Sequence, residues 1–209
     1  MNAPAPAQTV YVVDDEAAVR RALAALMETA GLAVAGFPSA EAFLEAVAPD
    51  ARGCLLLDVR MPGMGGVALQ RRLNAAGYTL PVVVVSGHGD VPLAVEMMHQ
   101  GAADFVEKPF DGRALLERVR ELLEADAAAA ERSRQVQAIR EGLARLTARE
   151  RDVFEAVIDG KPTKAIADEL GISPRTVDVH RYHLMEKLGA RNAAELVRKG
   201  MLARPGGAG

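Results

Sequence analysis

From Thr9 to about Leu123 short apolar runs alternate with stretches of helical periodicity. The runs TVYVV, AVAGF, CLLLD, PVVVVS and ADFVE have the length and β-branched content of strands. VVVV, with no polar alternation, is the pattern of a strand covered on both faces. Between these runs, apolar residues at helical spacing predict helices near 17–29, 40–47, 67–75, 92–100 and 113–123. Strand and helix alternating five times predict an α/β fold, a five-stranded parallel, doubly wound sheet with helices on both faces.

The pattern changes in ADAAAAERSRQVQAIREGLARL, which is Ala-rich and charge-laced, with apolar residues thinly spaced at Val136, Ile139, Leu143 and Leu146. It reads as a mostly helical linker, able to continue the fifth helix, since only Gly142 opposes helix inside it. Beyond it the strands cease. Thr147-Ala148-Arg149-Glu150 matches a capping box, opening a helix to about 159. PTKAIADELGISPRTVDVHRYHLMEKLG then holds a short helix, a tight turn and a longer helix, with Gly171 suited to a left-handed cap, Ser173 to an N-cap and Pro174 to the first helical position. A last helix is expected near 193–199. The expected organisation is therefore 1–8 disordered, 9–124 the α/β domain, 125–145 a helical linker, 146–202 an all-α domain of four helices and 203–209 a disordered Gly/Pro tail.

Charge separates the two parts. Residues 1–124 hold ten basic and sixteen acidic side chains, whereas 146–209 hold eleven and nine. An acidic front and a mildly basic back suggest two different jobs. The first residues, MNAPAPAQ, lack the basic start and apolar stretch of a secretory signal, and no window reaches the length of a membrane span, so a cytoplasmic protein with no membrane partner is expected. The single cysteine, Cys54, lies in an apolar run and reads as a small buried hydrophobe.

In an open parallel sheet, chemistry gathers at the carboxyl ends of the strands. There the pattern puts Asp14 and Asp15 after the first strand, Asp58 at the end of the third, Ser86 at the end of the fourth and Lys108 just after the fifth. A single acid at such a place is commonly a helix cap or a solvated turn residue. Acids, a hydroxyl and a lysine on successive strand ends form a pattern that capping does not explain. Clustered carboxylates repel unless a cation sits among them. Mg²⁺ takes oxygen ligands and keeps several waters, so two carboxylates and a carbonyl suffice to hold it. With metal and lysine neutralising it, a phosphoryl group could be attacked by a carboxylate oxygen.

VVDDE, LLLDVRMPGMGG, VVVVSGHGD and ADFVEKPF resemble the receiver domain of bacterial two-component response regulators, over Thr9 to about Leu123. LTARERDVFEAVIDGKPTKAIADELGISPRTVDVHRYHLMEKLGARNAAELV resembles the LuxR-type helix-turn-helix domain, and the combination, with SGHGDVPLAVEMM, is similar to the FixJ subgroup. The resemblance implies a phosphorelay regulator of transcription that is not an enzyme beyond accepting, and at most hydrolysing, its own phosphoryl group. Asp58 is then the phosphoacceptor for a sensor histidine kinase. Asp15, Asp58 and the backbone carbonyl of Arg60 hold Mg²⁺, with Asp14 acting through a water. Lys108 and Ser86 bind phosphoryl oxygens, and Phe105 follows Ser86 inward. Arg60 and His88 occupy positions that influence how long the phosphoryl group survives. The fourth helix and fifth strand form the homodimer surface, and DNA and RNA polymerase are the output partners. Lys108-Pro109 is a candidate cis peptide, a form only proline makes accessible.

In the back portion Lys161, Lys164, Arg175, Arg181, Lys187 and Arg191 gather around the turn and the longer helix, where they can neutralise phosphates. Val177, Leu184 and Leu188 share that helix's inner face at helical spacing, with His180 near it. Arg175, Asp178, Val179 and Tyr182 face the groove side. The expected DNA contacts are Lys161, Lys164, Arg175, Thr176, Asp178, Val179, Arg181 and Tyr182. Three other readings compete. A small helical bundle of this kind can bind protein instead of DNA. The receiver can act as a phosphorylation-independent dimerisation module. The strand-end Asp can also belong to a phosphatase of the haloacid dehalogenase type, but such enzymes place a second acid two residues on, where this chain has Arg60.

Overall fold

The computed structural model describes residues 8–87 and 91–203. His88 and most of the two expected disordered ends lie outside that range. Gln8 lies within it, and its side-chain amide donates to the Leu123 carbonyl and to Asp126 Oδ2.

The chain divides into two compact units, Met1–Ala128 and Ala129–Gly209. In the first, five strands, β1 (Thr9–Val13), β2 (Ala33–Phe37), β3 (Gly53–Leu57), β4 (Val82–Ser86) and β5 (Asp104–Glu107), form one parallel sheet in the order β2-β1-β3-β4-β5. The helices between them are α1 (Ala17–Glu28), α2 (Ala40–Ala46), α3 (Gly66–Ala75) and α4 (Val91–His99), and α5 (Gly112–Ala144) follows β5. The predicted α/β fold is the one observed. Period-two alternation sorts the strand side chains between two cores. Leu55, Leu57, Val82 and Val84 point to one face and are covered by Phe43 of α2, Leu69 and Leu73 of α3 and Met97 of α4. Cys54, Leu56, Val83 and Val85 point to the other and are covered by Leu23 and Met27 of α1 and Leu115, Val119 and Leu123 of α5. Both faces are dry, so the strands had no use for polar alternation. Burial also pushes the Cys54 thiol up to about 12, which keeps it protonated and inert.

One expectation shifts and another is sharpened. The third strand ends at Leu57, so Asp58 is the first residue beyond the ladder, although its amide still donates to the Val13 carbonyl at 2.8 Å. The linker is helical as expected and is one with the fifth helix, α5, which Gly142 does not interrupt. Glycine is required there for space: a Cβ would lie 2.7 Å from Leu188 Cδ2 and 2.9 Å from the Lys187 carbonyl oxygen. The second half of α5 thus packs into the helical unit, where Ile139 and Leu146 are buried. The region from 146 on holds the four helices expected, with the second half of α5 as the helical linker before them.

The other helices of this unit are α6 (Ala148–Ile158), α7 (Thr163–Leu170), α8 (Pro174–Leu188) and α9 (Ala193–Ala203). The capping box at Thr147 and Glu150, the left-handed Gly171 and the Ser173 cap with Pro174 at the first turn all form as the sequence predicts. Each such cap contributes about 1 kcal/mol. Together Gly171 and Ser173 fix the turn between α7 and α8. Helix α9 continues past 199 to Ala203.

Candidate functional site

In the order β2-β1-β3-β4-β5 the connections leave in opposite directions from β1 and β3, which opens a crevice above their carboxyl ends. Asp14 and Asp58, one residue past β1 and β3, share that crevice. Both are buried, at 2% and 8% exposure, as is Ser86 at the end of β4 at 1%. The cation that allows this is Lys108, whose Nζ lies 2.9 Å from Asp14 Oδ2 and 3.2 Å from Asp58 Oδ1. Lys108 is itself anchored by its amide, which donates to the Ser86 carbonyl at 2.8 Å, and the Lys108-Pro109 bond is cis as expected.

The remaining oxygens are also fixed. Asp14 Oδ1 accepts from the Glu16 amide and Asp58 Oδ2 from the Arg60 amide, each at 2.8 Å. The loop after Asp58 turns back so tightly that the Gly66 amide donates to the Val59 carbonyl at 2.9 Å. A Cβ on Gly66 would fall 2.6 Å from the Asp58 carbonyl oxygen and 2.8 Å from Val59 Cα, a collision with backbone that only glycine avoids. Glu41, at the start of α2, accepts from the Met64 amide at 3.0 Å and holds the far end of the same loop. Neither Glu41 nor Gly66 stood out in the sequence, because each acts through a backbone group distant along the chain.

Burial pushes the Asp58 carboxyl above its ordinary range, the Lys108 charge and hydrogen bond pull it back, and the Asp14 charge pushes it up again. For Lys108 burial works against the charged form, but the hydrogen bond to Asp14 and the Asp58 charge outweigh it, so the ammonium is held above its usual value. The result is a buried carboxylate beside a firmly charged lysine. The Asp15 side chain is exposed, with no hydrogen-bond or ion-pair partner among the described residues. Among those residues no group of three or more His, Cys, Asp or Glu is gathered around one point. The donor set is all oxygen, two or three carboxylates and backbone carbonyls, which fits a hard cation that completes its shell with water. Arg60 is exposed, and Phe105 is half-buried against the core under α2, α3 and α4.

In the helical unit Val177, Leu184 and Leu188 are buried as predicted, and Arg175, Asp178, Val179 and Tyr182 are exposed. Tyr182 stands out at 62% exposure, an apolar ring with no core role. Lys164 is exposed and Thr176 half-buried, its hydroxyl 2.8 Å from that of Ser173. Two of the expected phosphate contacts have local partners: Lys161 Nζ lies 2.5 Å from Glu169 Oε2, and Arg181 Nη1 donates to Thr163 Oγ1 at 3.1 Å. Lys187 is committed further. Its Nζ lies 2.6 Å from Oε2 of Glu150, a buried acid that also accepts from the Thr147 amide and hydroxyl. The Lys187 hydrogen bond, with the Thr147 amide second, holds the Glu150 carboxyl down at about 2. Because this value lies below the unfolded one, the stabilisation is complete above pH 4.5 and is lost as pH falls towards about 2. Glu150→Gln should lower the unfolding midpoint of the helical unit at neutral pH, and the gap from the unsubstituted protein should close in acid; urea titrations at stepped pH measure it.

No described helix is long and apolar enough to cross a membrane. Residues 10–120 match the family model described as response regulator receiver domain, and residues 144–199 that of the bacterial regulatory proteins, luxR family. The transcriptional regulatory protein FixJ of Azorhizobium caulinodans is 50% identical over 197 residues, covering 93% of this chain and 92% of its own. FixJ of Rhizobium meliloti is 47% identical, covering 96% of this chain and 97% of the relative. Among solved structures, the response regulator StyR superposes with a TM-score of 0.82 at 41% identity, covering 93% of this chain and 98% of that one. Full-length FixJ from B. japonicum superposes with a TM-score of 0.58 at 42% identity, covering 95% and 98%.

Proposed function

The chain belongs to the FixJ-like response regulators, which join a receiver domain to a LuxR-type DNA-binding domain, and from that premise we propose that Asp58 is the residue phosphorylated by a sensor histidine kinase. The observation that carries this reading is the Asp58 carboxylate itself, buried beyond a strand end, held by the Arg60 amide and sharing the Lys108 ammonium with Asp14. In the transfer an Asp58 oxygen attacks phosphorus, the phosphorus–nitrogen bond to the kinase histidine breaks, and an acyl phosphate forms while the histidine nitrogen keeps the electron pair.

Mg²⁺ would be held by Asp15, Asp58 and the Arg60 carbonyl, with Asp14 reaching it through a water; when bound it neutralises charge on the phosphoryl oxygens. Lys108 then carries the remaining neutralisation, releasing part of its hold on Asp14 and Asp58 to bind a phosphoryl oxygen. Ser86 hydrogen-bonds another, and Phe105 moves inward behind it. We assign 9–124 to the receiver, 125–145 to the connecting helix and 146–202 to DNA binding.

The output follows from a two-state surface. Shifting such an equilibrium from 1:99 to 99:1 takes about 5.5 kcal/mol, within reach of a few charge-assisted hydrogen bonds to the new phosphoryl oxygens. Helix α4 exposes Val91, Val95 and Met98, an apolar stripe suited to a second copy. Dimerisation brings two α8 helices to half-sites about one turn of DNA apart, so that weak contacts add. On each α8, Arg175 suits guanine, Asp178 can accept from a cytosine amino group, and Val179 and Tyr182 offer apolar contact; Lys164 supplies phosphate contact directly, and Lys161 and Arg181 do so once their intramolecular partners are exchanged. RNA polymerase is the output partner of the bound dimer.

With acetyl phosphate and Mg²⁺ the protein should sediment as a dimer, and Val95→Asp, which places a charge on the α4 stripe, should still accept the phosphoryl group but remain monomeric. Sedimentation unchanged by the phosphodonor would refute the switch.

A further inference from the structure

We infer that Arg20 is a positioning residue for the divalent-cation site, clamping the backbone that carries Asp14 and Asp15; the inference rests on the cation site proposed above. Arg20 lies in the first turn of α1, and its Nη1 donates to two successive carbonyls, that of Asp14 at 2.7 Å and that of Asp15 at 2.9 Å. These two bonds orient the peptide planes on either side of Asp15, and with them the direction in which its side chain leaves the chain.

A cation in this place is not explained by the helix. The positive end of the α1 dipole disfavours Arg20; α1 has no acid in its first turn and no side-chain hydrogen bond at its N-cap, although the N-cap residue, Glu16, is itself an acid. Nor is it an ordinary ion pair. An arginine five residues from one carboxylate and six from another would normally seek a carboxylate fork, the stronger partner. Arg20 instead directs its nitrogen to neutral carbonyls, and the Asp15 carboxylate is left exposed with no partner among the described residues. The carboxylate that the metal needs is therefore held in place from behind without being occupied from in front. Asp14 completes the arrangement, its Oδ1 tied to the Glu16 amide and its Oδ2 to Lys108.

Groups that orient ligands from outside the coordination shell are worth about 10- to 100-fold in metal affinity. The chain has no tryptophan to report binding, so the test is Mn²⁺ binding to the full-length protein, read from the electron paramagnetic resonance of free Mn²⁺ and competed with Mg²⁺. Arg20→Ala is expected to weaken both ions by about tenfold. Arg20→Lys, which keeps a charged donor able to reach the same carbonyls, should recover most of that loss, and the urea midpoints of all three proteins should stay close together. Equal affinity in Arg20→Ala and the unsubstituted protein, or a loss accounted for by a lower folded fraction, would overturn the inference. Failure of the unsubstituted protein to bind either ion would instead overturn the cation site itself, and the inference with it.

Discussion

Asp58→Asn will take up no phosphoryl group from acetyl phosphate and Mg²⁺, while the unsubstituted chain gains one. Intact-protein mass spectrometry distinguishes the two. The substitution is nearly isosteric and keeps the acceptor that the Arg60 amide uses, so the loop should hold its shape. What it removes is the negative charge paired with Lys108 and the nucleophilic oxygen. Asp14 cannot take over. It is the more deeply enclosed of the two, at 2% exposure against 8% for Asp58. Equal labelling of the variant would place the acceptor elsewhere and remove the basis for the roles given to Ser86, Phe105 and Arg60.

Lys108→Met should destabilise the first unit strongly. Removing one partner of a buried charge pair typically costs about 3–5 kcal/mol, because the other charge remains in a medium that cannot solvate it. Here two carboxylates lose their common cation. The Asp58 carboxyl already sits above its ordinary range through burial, with Lys108 the largest influence restraining it, so the variant should carry it higher still. A raised acid favours the folded state only while it is protonated, and that advantage is lost as pH rises through the folded value. The destabilisation should therefore be largest at neutral to alkaline pH and should shrink as the pH is lowered. Mg²⁺, supplying the missing positive charge, should restore part of it at constant pH. Urea unfolding of the variant at stepped pH, with and without Mg²⁺, checks both signs. A midpoint that ignores pH and Mg²⁺ would mean that the carboxylates do not depend on Lys108.

The residues legible in the sequence are those whose role follows from local order. VVVV and CLLL predict strands buried on both faces, and their alternate residues do fill two separate cores. Thr147, Glu150, Gly171, Ser173 and Pro174 act within a few residues of themselves, so their caps could be read directly. Asp14, Asp58, Ser86 and Lys108 could be brought together because a parallel sheet places every strand end on one rim.

What could not be read depends on pairs distant along the chain or on backbone groups. Glu41 reaches the Met64 amide, and Gly66 is needed because Asp58 and Val59 pass beneath it. Lys187 looked like a phosphate contact, yet it neutralises Glu150, thirty-seven residues earlier. Gly142 looked like a helix breaker because propensity counts only local cost; packing against Leu188 and Lys187 reverses its meaning. Asp126 shows the same limit at the other end of the receiver. Standing in an Ala-rich stretch, it is buried and paired with Arg52 at 2.7 Å, which ties α5 down beyond Leu123.

The coupling between the two units is tested most directly by the affinity for a duplex selected from a random pool, measured for the unsubstituted protein and Asp58→Asn, each with and without acetyl phosphate and Mg²⁺. The phosphodonor should tighten binding of the unsubstituted protein, by about tenfold or more if it shifts the switch by 1.4 kcal/mol or more, and leave Asp58→Asn unchanged. The same affinity in all four cases would contradict a DNA-binding activity governed by phosphorylation of Asp58.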